Sequence, residues 1–194
     1  MFSRRERRDA AEHRRIILQK AKELFITYGV NEVSMHKIAK EAGVGQGTLY
    51  RRYANKADLC LDVVLESYVQ VNERMNTYLI DNEQEQIDVR IAQVISDWVD
   101  YAEETYQWLG GIKNFQFAEG ACFSDSPIYK TMHERISQLL EEQAQEKGLA
   151  ARDHTFITDM IIYATGPSMY QLFRVERNYS VEALKNNLMQ MTLT

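Results

Sequence analysis

The chain has 194 residues, 45% of them hydrophobic and only 2 of them proline, and this scarcity of helix breakers points to an all-α protein of one mid-sized domain or a small domain fused to a larger one. No stretch approaches the ~18 apolar residues of a membrane span, the charged segment Met1 to Arg15 lacks the apolar core of a secretory signal, and Cys60 and Cys122, far apart and without C-x-x-C, argue against a disulfide framework or a zinc site. The net charge of −5 is unevenly spread: Met1 to Lys56 holds 13 Lys+Arg against 6 Asp+Glu (+7) and the remainder 10 against 22 (−12), the asymmetry expected when only one end meets a polyanion.

Ile17, Ala21, Leu24, Phe25 and Tyr28 form one helical stripe, closed by Gly29, which tolerates φ > 0, with Val30 as its hydrophobic contact. Ser34 reads as the N-cap of a helix from Met35 to about Ala42, Gly43 as the turn, and Gln46 to about Tyr53 as a third short helix. Asn55, with Asp58 three residues on, caps a long helix carrying Leu59, Val63, Val64, Tyr68, Val71, Met75 and Leu79. Ile87, Ile91, Val94, Ile95, Trp98 and Ala102 mark the next helix, and Trp108, Ile112 and Phe115 a shorter one.

Gly120 to Ser126 reads as a loop, and Ser126-Pro127 as a cap followed by proline at the first helical position. The helix it opens closes near Gly148. Asp153 caps one running to about Arg177, kinked at Gly166-Pro167, and Ser180 caps the last, with Val181, Leu184 and Leu188 inward. About nine helices are expected. They divide into a short helix-turn-helix domain with a basic N-terminal arm (1–55) and a larger helical body (56–194).

Ile38 to Leu49 has the pattern of a helix-turn-helix. Ala39 is small where two helices cross, Gly43 makes the turn, and Ile38, Ala42, Val44 and Leu49 are apolar where the pair packs on the first helix. Around this frame Ser34, His36, Lys37, Gln46, Thr48, Tyr50, Arg51, Arg52 and Lys56 are candidate DNA contacts. Gln46 can place its amide on an adenine edge, and the hydroxyls of Thr48 and Tyr50 suit phosphate oxygens. Arg51 can take guanine in bidentate fashion, Arg52 can clamp phosphate equally well, and Lys56 adds charge at a helix N-terminus near the backbone.

On these residues the sequence resembles the TetR (AcrR-like) family of bacterial transcriptional regulators. The resemblance runs through Ile17…Ala21…Leu24-Phe25…Tyr28-Gly29, Ser34…Ile38-Ala39…Ala42-Gly43-Val44, Gly47-Thr48-Leu49-Tyr50…Tyr53 and Lys56…Leu59. It implies a homodimer with two helix-turn-helix heads on double-stranded DNA and a divergent body. It implies repression relieved by a small molecule, with Thr48, Tyr50 and Lys56 facing phosphate and Gln46 facing bases. Arg51-Arg52 departs from the family, which commonly has an aromatic or histidine pair there; the pair should add phosphate affinity and salt dependence.

In the body, Phe156, Met160, Ala164, Ser168 and Leu172 repeat every fourth residue and, with Leu184 and Leu188, are the candidate dimer seam. The inward stripes carry Trp98, Trp108, Phe115, Met132 and Tyr163, candidate contacts for an apolar or aromatic effector. At helical spacing the default reading of these stripes is core.

No catalytic constellation is present: there is no G-x-S-x-G, no H-E-x-x-H and no phosphate-cradling glycine loop. The four histidines are dispersed, so neither a metal nor a cofactor is expected. Alternative classes are a helical small-molecule-binding protein or enzyme and a regulator switched by cysteine oxidation, although neither cysteine has a basic neighbour to activate it. The expected setting is a cytoplasmic, non-enzymatic regulator with no membrane partner.

Overall fold

The computed structural model describes residues 4–109 and 123–193, with side chains from residue 11 onward. Among these residues there are nine α-helices and no strand: α1 (Arg4–Tyr28), α2 (Met35–Glu41), α3 (Gln46–Arg52), α4 (Lys56–Asp81), α5 (Ile87–Leu109), α6 (Pro127–Lys147), α7 (His154–Ala164), α8 (Pro167–Gln171) and α9 (Val181–Leu193). A 3₁₀ turn, Phe123–Asp125, precedes α6, and a π-helical turn, Leu172–Glu176, follows α8.

The caps form where the sequence writes them. The Ser34 hydroxyl accepts from the Lys37 amide at 3.2 Å and the Asn55 side chain from the Asp58 amide at 3.0 Å. Ser126, Asp153 and Ser180 likewise receive the amides of Tyr129, Phe156 and Ala183 at 3.1, 2.9 and 3.0 Å. Each satisfies a donor that the first helical turn leaves unpaired. Gly43, at φ 67, ends α2: its amide donates to Lys40 O at 3.1 Å and that of Val44 to Ala39 O at 3.0 Å. This paired return requires the left-handed conformation that glycine adopts without strain.

The chain divides into two compact units, one built from residues up to Ser67 and the end of α5 from Gln107, the other from Tyr68–Tyr106 and the remaining C-terminal part. In the first, α1 packs on α2 and α2 on α3, around the fully buried Ile17, Ala21, Phe25, Val33, Ile38, Leu49 and Leu59. In the second, α6 packs on α7, and Met75, Ile91, Ile95, Met132, Ile136, Leu140, Ile161 and Ile162 are buried.

Two expectations about helix boundaries change. The helix through Trp98 does not end near Ala102 but continues to Leu109, so Trp108 sits on α5; Ile112 lies outside the described residues. The long helix from Asp153 is broken rather than kinked. Thr165 closes α7, Gly166 is extended (φ −63, ψ 153), and Pro167 starts α8 in its first turn. An extended residue before proline is what the pyrrolidine ring enforces, and a proline at a first helical position needs no donor.

Candidate nucleic-acid interface

α3 is short and built to be held by one side chain. Leu49 is fully buried, while Gln46, Tyr50, Arg51 and Arg52 are exposed and Thr48 half-exposed. Tyr50, 51% accessible, is a large aromatic left in solvent at the surface of a basic unit. Arg51 donates to the Thr48 hydroxyl at 3.2 Å, which draws the guanidinium back along its own helix. The Gln46 amide nitrogen lies against His36 Nδ1, so α2 orients the amide presented at the start of α3. One amide N–H and the carbonyl oxygen remain for the paired contact that an adenine edge accepts.

Lys37 is half-exposed, with its ammonium 3.5 Å from the centroid of the Tyr28 ring, a cation–π contact between α2 and the end of α1. Ser34 spends its hydroxyl on the cap already described.

Lys56 behaves differently from the expectation of a phosphate contact. Its ammonium donates to the carbonyls of Val30 at 2.7 Å and Val33 at 3.0 Å, closing the turn between α1 and α2. An ammonium directed at main-chain oxygens in this way makes a clamp. Lys56→Met should therefore lower stability by about 2 kcal/mol, a Tm drop of about 6 °C, measured by thermal unfolding without DNA. An unchanged Tm with weakened DNA binding would return the residue to a phosphate role.

A charged knot ties α1, the end of α3 and α4 together. Arg14 takes Asp62 with two nitrogens (2.6 and 3.1 Å) and Glu66 with a third (2.7 Å), and the Tyr53 hydroxyl donates to Asp62 at 2.6 Å. Burial alone would raise the Asp62 pKa, but the bonds from Arg14 and Tyr53 and the Arg14 charge outweigh it and hold the carboxyl below its ordinary value. A depressed folded pKa stabilises above the unfolded value, about 3.9, and that stability is lost as pH falls through the folded one. Asp62→Asn should thus cost about 2 kcal/mol at pH 7, with the gap from the parent closing below about pH 4 in a denaturant series. A gap constant from pH 7 to pH 3 would mean the carboxylate charge contributes nothing.

The residues expected at an effector site fall in both units. Trp98 and Met132 are buried in the second unit. Trp108 belongs to the first, stacked on Phe25 at 5.6 Å between centroids and 15° between planes. Tyr163 is 43% accessible and packs its ring against Phe123 and Tyr129 instead of pointing inward. Phe115 lies outside the described residues. Helical spacing placed these aromatics on stripes but could not say which neighbour each stripe meets.

The candidate seam is also divided. Phe156 (61% accessible) and Met160 (42%) form an exposed apolar face on α7, with Ala164 half-buried at its end. Ser168, on α8, is exposed and Leu172, in the π turn, is half-buried. The extended Gly166 separates these two from α7, so no single stripe runs through all five. Leu184 and Leu188 are buried within the protomer.

Cys60 is buried, and that burial pushes its thiol up to about 12 against a weak pull from Lys56, which disfavours the reactive thiolate. Cys122 lies outside the described residues. Among the described residues no group of three or more His, Cys, Asp or Glu could hold a metal ion, and no helix is long and apolar enough to cross a membrane.

Residues 17–63, which span α1 from Ile17 through α2 and α3 into α4, match the family described as "Bacterial regulatory proteins, tetR family". Over the whole length, the chain is 26% identical to an HTH-type transcriptional regulator of Staphylococcus aureus (strain MRSA252), covering 96% of each protein. Its fold resembles that of the transcriptional regulator FadR from Bacillus subtilis, solved in complex with stearoyl-CoA, with a TM-score of 0.67 at 22% identity over 92% of this chain and 97% of that one. It also resembles a transcriptional regulator from Cytophaga hutchinsonii ATCC 33406, with a TM-score of 0.71 at 14% identity over 92% and 93%. With Ile38, Gly43 and Leu49 framing a helix-turn-helix inside the matched segment, residues 17–63 carry the DNA-binding helices of the tetR-family regulatory proteins, and the chain is similar over its length to HTH-type transcriptional regulators.

Proposed function

We propose that this regulator is a cytoplasmic, ligand-responsive repressor that binds a palindromic operator as a homodimer and leaves it when a small molecule occupies the body. The observation that carries the reading is α3, a seven-residue helix crowded with exposed Gln46, Tyr50, Arg51 and Arg52 and half-exposed Thr48 on the basic end of an acidic chain. Gln46 reads a base edge; Thr48, Tyr50 and Arg52 track phosphate, with Ser34, His36 and Lys37 on the flank. Two such helices would enter successive major grooves about 34–36 Å apart.

Residues 1–55 serve DNA and residues 56–194 serve the effector and the second protomer. The exposed Phe156–Met160 face of α7 supports a dimer seam there, with Leu184 and Leu188 stiffening the wall behind it. The buried Trp98 and Met132 support an apolar or aromatic effector, and FadR, a neighbour in fold, was solved with stearoyl-CoA, whose acyl chain is long and apolar.

A mobility-shift titration against DNA upstream of the gene, at 50 and 200 mM salt, tests the reading. A complex of two chains on one palindrome is expected, with affinity falling about 10³-fold between the two salts. Absence of any palindromic site bound at the lower salt would end the proposal.

A further inference from the structure

Arg135 is a buried charge that its own surroundings do not balance. It lies on α6 with 8% of its surface accessible. Its guanidinium donates to the amide oxygens of Asn72 at 2.7 Å and Asn76 at 2.5 Å on α4, and touches the thioethers of Met75 at 3.4 Å and Met132 at 3.6 Å. All four partners are neutral. Among the described residues no carboxylate pairs with it, whereas Arg90 meets Glu142 at 2.5 Å and Arg174 meets Glu103 at 2.9 Å in the same unit. A buried cation held by dipoles alone is costly, because neutral amides replace only part of the hydration it has lost.

A second donor stands beside it, and a third belongs to the ring that packs on the second. The buried Tyr68 hydroxyl faces Arg135 and Thr131, which approach its oxygen and leave its own proton to give, and the Trp98 indole N–H is buried without a partner. The Tyr68 and Trp98 rings meet edge to face at 6.2 Å, so α4, α5 and α6 contribute to one aromatic cluster with an excess of donors and a positive charge. A purely structural Arg135, tying α4 to α6 through Asn72 and Asn76, would explain the arginine but not the buried Tyr68 O–H beside it or the unpartnered Trp98 N–H in the same cluster.

We propose that Arg135 anchors the carboxylate of an amphiphilic monocarboxylic acid, with Tyr68 and Trp98 as accessory donors and the acid's tail in the surrounding apolar side chains. One guanidinium matches one carboxylate in charge and in its forked geometry; a phosphate dianion would leave a surplus negative charge in an apolar setting. Met75 and Met132 are unbranched and rearrange readily, so they are the side chains that yield to an entering group. The proposal rests on the reading that the body holds the effector, and it adds the ligand's chemical class.

The test uses the full-length protein, dodecanoate and dodecanamide as matched probes, and the Arg135→Met and Arg135→Lys variants, read by calorimetry and by release of DNA in a mobility shift. The parent should bind the acid at least tenfold more tightly than the amide. Arg135→Met should bind both alike while melting no lower than the parent, since an apolar side chain of similar shape replaces an unbalanced charge. Arg135→Lys should keep part of the preference. Equal binding of acid and amide by the parent, or a preference that survives Arg135→Met, or no binding of either probe, overturns the anchor. Equal binding accompanied by DNA release leaves the effector reading intact; a carboxylate preference without DNA release upholds the anchor and overturns the release.

Discussion

Replacing Tyr50 and Arg51 together with alanine is expected to weaken operator binding by about 10²–10³-fold, since each side chain that engages a base or a phosphate contributes about 1–3 kcal/mol. Both side chains are exposed on α3, and neither carries the packing of that helix, which rests on Leu49. Thermal unfolding should therefore stay within about 0.5 kcal/mol of the parent, the range for surface changes away from a cap or a buried pair. The two effects separate recognition from folding. Mobility shift at fixed salt reads the first and circular dichroism the second. Binding unchanged in the double variant would remove α3 from the interface, and a collapsed melt would show that the weakening came through the fold.

Phe25→Ala should destabilise the protein by about 3–5 kcal/mol, the range for emptying a fully buried aromatic site. Phe25 has no accessible surface and its ring lies flat against Trp108, so truncation removes both apolar burial and a stacked pair. With a Tm change of about 2–4 °C per kcal/mol for a chain of this size, the melt should fall by about 10 °C or more. Trp108 offers an internal reporter, because its emission should shift to the red as water reaches the cavity. A destabilisation below about 1 kcal/mol would mean that neighbouring helices close over the gap.

What could be read from the sequence was chemistry confined to a few consecutive residues. Ser34, Asn55, Ser126, Asp153 and Ser180 announce helix starts because a cap needs only a side-chain oxygen and an amide three residues on. Gly43 announces the turn because the required backbone angle excludes most other residues. What could not be read was the partner of each stripe. Trp108 and Trp98 carry the same helical signal yet fall in different units, and Tyr163 obeys the period of α7 while facing outward. Gly166-Pro167 marks an irregularity, but kink and break share that signature until the extended angle of Gly166 decides.

Lys56 was legible as a charge beside the interface but not as a clamp, because its acceptors are carbonyls more than twenty residues away. Arg135 did leave a trace: a charge between Met132 and Leu139 on an apolar stripe, facing an amide pair, Asn72 and Asn76, one turn apart among Val71 and Met75. A charge on an apolar stripe and an amide pair at the edge of another are a signal that the two helices meet.

The π-helical turn after α8 bears on lineage and engineering alike. The Arg177 amide reaches back to Leu172 O at 2.9 Å, five residues away instead of four, so the helix there carries one residue more than an α-helical turn would hold. Within that turn Arg174 grips Glu103 with two nitrogens, at 2.9 and 3.2 Å. Deleting one residue between Leu172 and Arg174 would restore ordinary winding but rotate Arg174 by about 100°, away from its carboxylate. The wide turn thus acts as a ratchet: while Arg174 and Glu103 depend on it, a single-codon deletion there is harmful, and related chains with and without the turn should differ at both positions together.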